Sequence, residues 1–234
     1  MNLFENIFEG VVSFFTADFL EITIDLLNGL GYTVLIFAVT LFAAIPLGLI
    51  ISFGSMSKFK PLNLVSRGFV WIIRGTPLML QIIFFALGPG LWLGIPVRSE
   101  WVQLMLVCLA FTINYACYFS EIYRGGIQSI PAGQYEAGQV LGMTKTQIFF
   151  KVVFLQVIKR IVAPMSNEII TLVKDTALAS VIIHLDLFTV AKQIVNDRVI
   201  LWPIFYAGLF YLIFNGLLSF LLGKLERKLD YFKV

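Results

Sequence analysis

The chain has 234 residues, of which 59% are hydrophobic and only 13% are charged, whereas a soluble domain carries about 25% charged residues. A soluble protein of this composition would expose large apolar patches, which soluble monomers rarely do, so a soluble fold is excluded and an integral membrane protein is predicted. The net charge of +3 indicates no nucleic-acid partner. Both cysteines, Cys108 and Cys117, lie in one apolar run, which excludes a disulfide framework or a zinc site.

The N-terminal segment, residues 1–27, carries acidic residues and no basic ones. A cleaved signal peptide begins with a positively charged region, so none is predicted. The apolar residues of the segment recur at helical spacing, which predicts an extracellular amphipathic helix on the outer membrane interface. A partly ordered tail fits the same pattern equally well.

Five stretches are apolar enough to cross a membrane, which takes about 20 residues. They are residues 31–53, 68–87, 101–119, 161–183 and 199–222. The chain is therefore predicted to be an all-α integral membrane bundle of five transmembrane helices, with a transmembrane domain over residues 28–222.

The distribution of Lys and Arg predicts the orientation, because these residues are enriched in cytoplasmic loops. Five spans place the two termini on opposite sides of the membrane. Twelve basic residues fall on the side of the C-terminus, in residues 54–67, 120–160 and 223–234, and three fall on the other side. The N-terminus is therefore predicted to lie outside, and the basic tail, residues 223–234, in the cytoplasm.

The longest connection, residues 124–160, lies on the predicted cytoplasmic side and contains signals for two helices. Pro131 fits the first turn of one helix, with Ser129 as a candidate cap, and Gly142 fits its end. Thr144–Gln147 has the pattern of a capping box that begins the second helix. An ordinary amphipathic connector on the membrane face is the alternative.

The first of these helices resembles the EAA loop in the permease subunits of ABC importers. In that family this loop docks into a groove on the ATP-hydrolysing subunit, and its small residues allow close contact. The residues that carry the likeness, and hence the predicted coupling function, are Gln134, Tyr135, Glu136, Ala137, Gly138 and Gly142. The sequence departs from the family at Gly138, where Ala is usual, and at Leu155, where a proline is usual. Without that proline, a straighter helix into the fourth span is expected.

Further motifs match the polar amino-acid branch of this family and occur in its order over about residues 28–230. They are Arg74-Gly75-Thr76-Pro77-Leu78, Glu121-Ile122-Tyr123-Arg124-Gly125, Ile127-Gln128-Ser129-Ile130-Pro131, Asn167-Glu168 and Lys174-Asp175-Thr176. The resemblance implies a permease in the plasma or inner membrane that forms the pathway for a polar amino acid.

The resemblance also implies partners. These are an ATP-hydrolysing subunit that binds ATP and Mg, a second permease copy or a sister permease, and an extracellular substrate-binding protein. No cofactor is expected in this chain. The chain lacks a phosphate-binding loop, since Gly142–Thr146 has no Gly-Lys pair. It is therefore predicted not to be an enzyme.

Charged residues within the predicted spans should face the bundle interior or a wet cavity, because each costs about 2.5–3.5 kcal/mol at mid-membrane. Helical spacing aligns three polar stripes. They are Arg74 with Gln81, Asn114 with Glu121, and Glu168 with Asp175. A wall that carries both signs of charge suits a zwitterion such as a free amino acid.

The predicted substrate pathway follows from these stripes and consists of Arg74, Thr76, Asn114, Tyr118, Asp175 and Thr176. Arg74 lies beside a helix break expected at Gly75-Thr76-Pro77, where freed backbone donors suit a carboxylate. Asp175 would accept an ammonium group. Glu168 and Lys174 are expected to form interhelical pairs, and Glu121 with Arg124 a hinge. Charges that only hold the bundle together are the alternative for Arg74 and Asp175, and a place in the passage is the alternative for Glu168 and Lys174. No catalytic residue and no metal ligand are predicted.

Two other classes of protein compete with the importer permease. A stand-alone secondary transporter or channel for a small zwitterionic solute would usually show an internal repeat, and none is clear. An intramembrane enzyme is disfavoured, because the chain has one His and neither H-E-x-x-H nor G-x-S-x-G. Co-purification of an ATPase would separate the first class from the other two.

Overall fold

The protein is described here from a computed structural model, which covers residues 18–94, 97, 99–183 and 185–229. Every regular element in these residues is helical, as the composition predicts. The α-helices are α1 (Asp18–Ser55), α2 (Lys60–Gly75), α3 (Leu78–Leu93), α4 (Glu100–Gln128), α5 (Ala132–Val140), α6 (Lys145–Ile148), α7 (Phe154–Asp175), α8 (Leu187–Arg198) and α9 (Trp202–Leu229).

The core of the bundle lies between α1 and α4. Phe111 and Phe119 of α4 are fully buried, and Ile36 and Ala44 of α1 pack in the same cluster. A Cβ atom added at Gly48 would lie 2.8 Å from the carbonyl oxygen of Ala116, so the two backbones approach too closely for any larger residue. Small residues at such contacts are the usual basis of helix association in lipid, where apolar burial alone gives no driving force.

The second predicted span is broken into α2 and α3, and the chain bends by 105° between the two helices. Thr76 is extended, with φ −114° and ψ 144°, and Pro77 precedes the first turn of α3. A proline disfavours the helical conformation in the residue before it and lacks an N–H donor, so the helix ends there. The break predicted at Gly75-Thr76-Pro77 is confirmed.

The connection between α4 and α7 contains both predicted helices, α5 and α6. Gly142 has a φ of +70° and ends the turn after α5, and Thr144 with Gln147 forms the capping box through bonds of 3.3 and 2.9 Å. The predicted cap at Ser129 is wrong. Ser129 ends α4, where its hydroxyl donates to the carbonyl of Gly126 at 2.7 Å, and Pro131 stands immediately before α5.

The helix that returns to the membrane is continuous from α6 to α7 through one π-helical turn, Phe149–Val153. The straighter helix expected here, because Leu155 replaces the family's proline, stays a prediction. At its other end α7 continues into a 3-10 segment, Thr176–Val181.

The predicted third span is longer than its apolar residues indicate. α4 continues without interruption to Gln128, so the hinge predicted at Glu121 and Arg124 is wrong. The two side chains instead form an ion pair along one helix face, three residues apart.

By length and composition, three helices in the described part of the chain can cross a membrane alone, namely α1, α4 and α9. The pair α2 and α3 can form a fourth, broken span. The predicted fourth span, residues 161–183, corresponds to α7 and the 3-10 segment. Its three charged residues make it less apolar than the others, so the count of five spans stays a prediction.

The predicted boundaries of the transmembrane domain fall within helices. α1 runs unbroken across residues 27 and 28, and α9 continues past residue 223 to Leu229. The rest of the predicted N-terminal amphipathic segment and of the basic tail, residues 1–17 and 230–234, lies outside the described residues.

Candidate functional site

A cavity of about 470 Å³ opens beside the break between α2 and α3. This volume falls within the range of about 300–1,000 Å³ that is usual for small-molecule sites. The cavity is lined by residues of the break, of α4 and of α7, namely Arg74, Gly75, Thr76, Pro77, Leu78, Asn114, Tyr115, Tyr118, Glu168, Thr171 and Asp175. The three polar helices predicted from the sequence therefore converge on one cavity.

The cationic side of the cavity is Arg74. Its Nη1 atom lies 3.6 Å from Oε2 of Glu121, and its guanidinium carbon lies 5.0 Å from the centre of the Tyr118 ring. Glu121 is bound more tightly by Arg124, at 2.6 and 2.9 Å. Because a guanidinium has five N–H donors and this contact to Glu121 is long, Arg74 retains donors for a second anion.

The break itself is held by Gln81 of α3. Its amide nitrogen donates to the carbonyl oxygens of Ile73 and Thr76 at 2.7 and 3.1 Å and to the Thr76 hydroxyl at 2.8 Å. Its amide oxygen accepts a hydrogen bond from Asn114 at 3.0 Å. The helical stripe predicted from Arg74 to Gln81 does not exist, because the break lies between them. Gln81 nevertheless connects the break to α4.

The anionic side of the cavity contains Asp175 and Glu168 of α7. Oδ2 of Asp175 accepts a hydrogen bond of 2.7 Å from the hydroxyl of Tyr115, which is 2% exposed. The sequence analysis missed Tyr115, although it adjoins Asn114. Glu168 and Lys174 form no ion pair within the described ranges, where Lys174 is exposed and Glu168 lines the cavity, so the interhelical pairs expected for them stay a prediction.

Five of the six predicted pathway residues line this cavity, and Thr176 does not. Thr176 is fully buried, and its hydroxyl donates to the carbonyl oxygen of Val173 at 2.6 Å. It begins the 3-10 segment that follows Asp175.

A second cavity, of about 440 Å³, adjoins the first. Both are lined by Arg74, Gly75 and Tyr118. The second cavity also contains Arg67 and Arg124 and is therefore more basic. Arg74 and Tyr118 thus stand at the junction of the two spaces.

The predicted coupling residues fall on two sides of α5. Glu136 and Ala137 are exposed, whereas Gln134 accepts a hydrogen bond of 3.2 Å from Gln156 of α7. Tyr135 packs against the cluster of Ile130, Ile148, Val153, Val157 and Ile161.

Gly138 was expected to allow close contact with the ATP-hydrolysing subunit. In the structure it is in close contact with Ile148 of the same chain. Gly138 is buried, and a Cβ atom there would lie 2.6 Å from Cγ1 of Ile148. The C-terminal end of α5 exposes two apolar side chains that the sequence analysis missed. Val140 is 88% exposed and Leu141 is 77% exposed.

These features define a helical membrane protein with a charged cavity between its helices and a short helix, α5, in the connection between α4 and α7. The chain belongs to the family described as the binding-protein-dependent transport system inner membrane component, whose model matches residues 44–231. It is therefore a permease subunit of an ABC transport system in the inner membrane. The family membership favours the importer permease over a stand-alone transporter.

Several known proteins are similar to this chain. The L-cystine transport system permease protein of Bacillus subtilis is 37% identical over 206 residues, which cover 87% of this chain and 86% of the relative. The arginine transport system permease protein of the same organism is 33% identical over 205 residues, covering 87% and 92%. A crystal structure of an amino acid ABC transporter with histidines matches with a TM-score of 0.82 and 30% identity, covering 90% of this chain and 97% of that one.

Proposed function

We propose that this permease carries a polar amino acid through the cavity between the α2–α3 break, α4 and α7. The observation that carries the proposal is that one cavity is lined by two opposite charges, Arg74 at the break and Asp175 on α7. A free amino acid has a carboxylate that needs a cationic donor and an ammonium group that needs an anionic acceptor. The relatives named for L-cystine and arginine support this class of substrate.

The polar and charged groups that would bind the substrate have specific roles in this proposal. The substrate carboxylate binds Arg74, and the hydroxyl of Thr76 adds a polar group beside it. The ammonium group binds Asp175, with Glu168 as a second carboxylate. Tyr118, which stacks under the Arg74 guanidinium at 5.0 Å, restrains that cation at the junction of the two cavities.

ATP hydrolysis is proposed to take place on a separate subunit, which binds ATP and Mg. The exposed side of α5, from Glu136 to Leu141, would dock into a groove on that subunit and transmit its movement. A second permease copy or a sister permease would complete the pathway, and an extracellular binding protein would deliver the substrate.

The direct test is to purify the permease with its ATPase and to measure ATP hydrolysis against a panel of L-amino acids that includes L-cystine. We expect one amino acid or a small group of them to stimulate hydrolysis. A complex that assembles but responds to none of them would contradict the proposed substrate class.

The proposed topology has five spans, with the N-terminus outside and the C-terminus in the cytoplasm. A cysteine at Lys60, the first residue of α2, should be shielded from an impermeant thiol reagent in intact cells. A cysteine at Lys192 of α8 should react, because Lys192 lies on the predicted outer side. Both lysines are exposed, so exposure alone does not separate the two variants. The native Cys108 and Cys117 are buried and give little background. If the Lys60 variant were labelled and the Lys192 variant were not, the orientation of the protein would be opposite to the proposed one.

A further inference from the structure

Gln81 is a polar side chain to which the proposed pathway gives no role, although it is buried beside the cavity with 7% of its surface exposed. Its amide nitrogen donates to the carbonyl oxygens of Ile73 and Thr76, and its amide oxygen accepts from Asn114. One side chain thereby joins both sides of the helix break to α4.

The two carbonyl oxygens decide which way the Gln81 amide points, because a carbonyl oxygen can only accept a hydrogen bond. The amide nitrogen must face the break, and the amide oxygen must face α4. Since that oxygen cannot donate, Asn114 has to turn its own amide nitrogen toward Gln81 at 3.0 Å. Oδ1 of Asn114 then remains available as an acceptor, because none of the residues that the structure describes donates a hydrogen bond to it.

We infer that Gln81 is a positioning residue that fixes the Asn114 amide so that its oxygen is offered to the cavity as an acceptor. Asn114 lines the cavity together with Asp175, so a ligand N–H group finds one acceptor on α4 and another on α7. The inference rests on the proposed function and deepens it, because it makes the cavity selective for a substrate that carries an ammonium group. Without Gln81 the Asn114 amide can rotate and present its NH₂ group, which repels an ammonium.

The experiment compares two ligands on the permease purified with its ATPase. One is the L-amino acid that stimulates hydrolysis, and the other is its des-amino analogue, which keeps the carbon skeleton and the carboxylate. The quantity measured is the ratio of their half-maximal concentrations, with the analogue used as a competitor. In Gln81→Leu we expect the preference for the amino acid to fall about tenfold, the effect of one hydrogen bond to a charged group.

Two further variants separate positioning from general loosening. Gln81→Glu keeps an oxygen that accepts from Asn114, so it should retain the preference while both half-maximal concentrations rise. Gln103→Leu makes the same change as Gln81→Leu outside the cavity, where Gln103 donates to the carbonyl of Val97 at 3.3 Å. This control should leave both concentrations and their ratio unchanged.

If Gln81 had a merely structural role, Gln81→Leu would raise the half-maximal concentrations of both ligands by the same factor and leave their ratio at its wild-type value. That result in Gln81→Leu would overturn the inference. If Gln81→Leu does not assemble, Gln81→Glu decides, since loss of the preference in that variant contradicts positioning through the retained oxygen. If no amino acid stimulates the wild-type complex, the proposed function is contradicted together with the inference. If the wild type responds and the ratio is unchanged in Gln81→Leu, only the inference is contradicted.

Discussion

Replacing Asp175 with Asn should raise the concentration of amino acid that half-maximally stimulates ATP hydrolysis by about 30-fold to several thousand-fold. Loss of one partner in a buried charged contact costs about 2–5 kcal/mol, which corresponds to that range. The local geometry explains why so small a change has this effect. The hydroxyl of Tyr115 donates to Oδ2 of Asp175 at 2.7 Å, so an Asn side chain would keep its oxygen there and turn its NH₂ group toward the substrate.

The matched control for this variant is Asp197→Asn, the same exchange at an exposed position of α8. Lys192→Gln, on the same predicted outer side, is a second control. Both should leave the half-maximal concentration at its wild-type value. Assembly with the ATPase is measured in parallel, because a fall in assembly rather than in ligand response would mean that Asp175 only stabilises the bundle.

Replacing Leu141 with Asp should weaken the association of the permease with its ATPase by about 30-fold or more. Leu141 and Val140 are apolar and 77% and 88% exposed at the end of α5, as expected of an anchor that a partner buries. Truncation of such an anchor costs about 2 kcal/mol or more, and a charge in its place adds a desolvation cost. The measurement is the amount of ATPase retained by the purified permease over a series of concentrations.

The control for the coupling surface is Leu201→Asp. Leu201 is 69% exposed on the opposite predicted side, so this variant should retain the ATPase. Equal retention of the ATPase by the Leu141→Asp variant and the wild type would show that α5 does not dock through its end. Gly138→Trp is a poor test of docking, because it would first displace Ile148 from the interior of the loop.

Local signals made the helix break and the capping box predictable. Pro77 restricts the residue before it, and Thr144 and Gln147 satisfy each other's backbone groups within one turn. Neither feature depends on which other helix lies nearby. The convergence of three polar helices also followed from the sequence, because charged residues in lipid have to face the interior.

The features that the sequence analysis missed depend on contacts between distant residues. Gly138 is buried because Ile148 of α6 packs against it. The helical spacing within α5 does not indicate this contact. The bond from Tyr115 to Asp175 joins residues that are 60 positions apart. Glu168 could face a partner helix or the cavity with the same helical pattern, and only the packing of α7 against α4 distinguishes the two.

The most direct test of the proposed pathway is ATP-dependent uptake of the stimulating amino acid by the reconstituted transporter carrying both Arg74→Gln and Asp175→Asn. The two substitutions remove both charges that the proposal assigns to the substrate and keep a polar amide at each position. We predict that the doubly substituted complex assembles, hydrolyses ATP at its basal rate and imports no measurable substrate. Uptake at the wild-type rate would contradict the account, because it would show that the charges of this cavity are structural and that the substrate passes elsewhere.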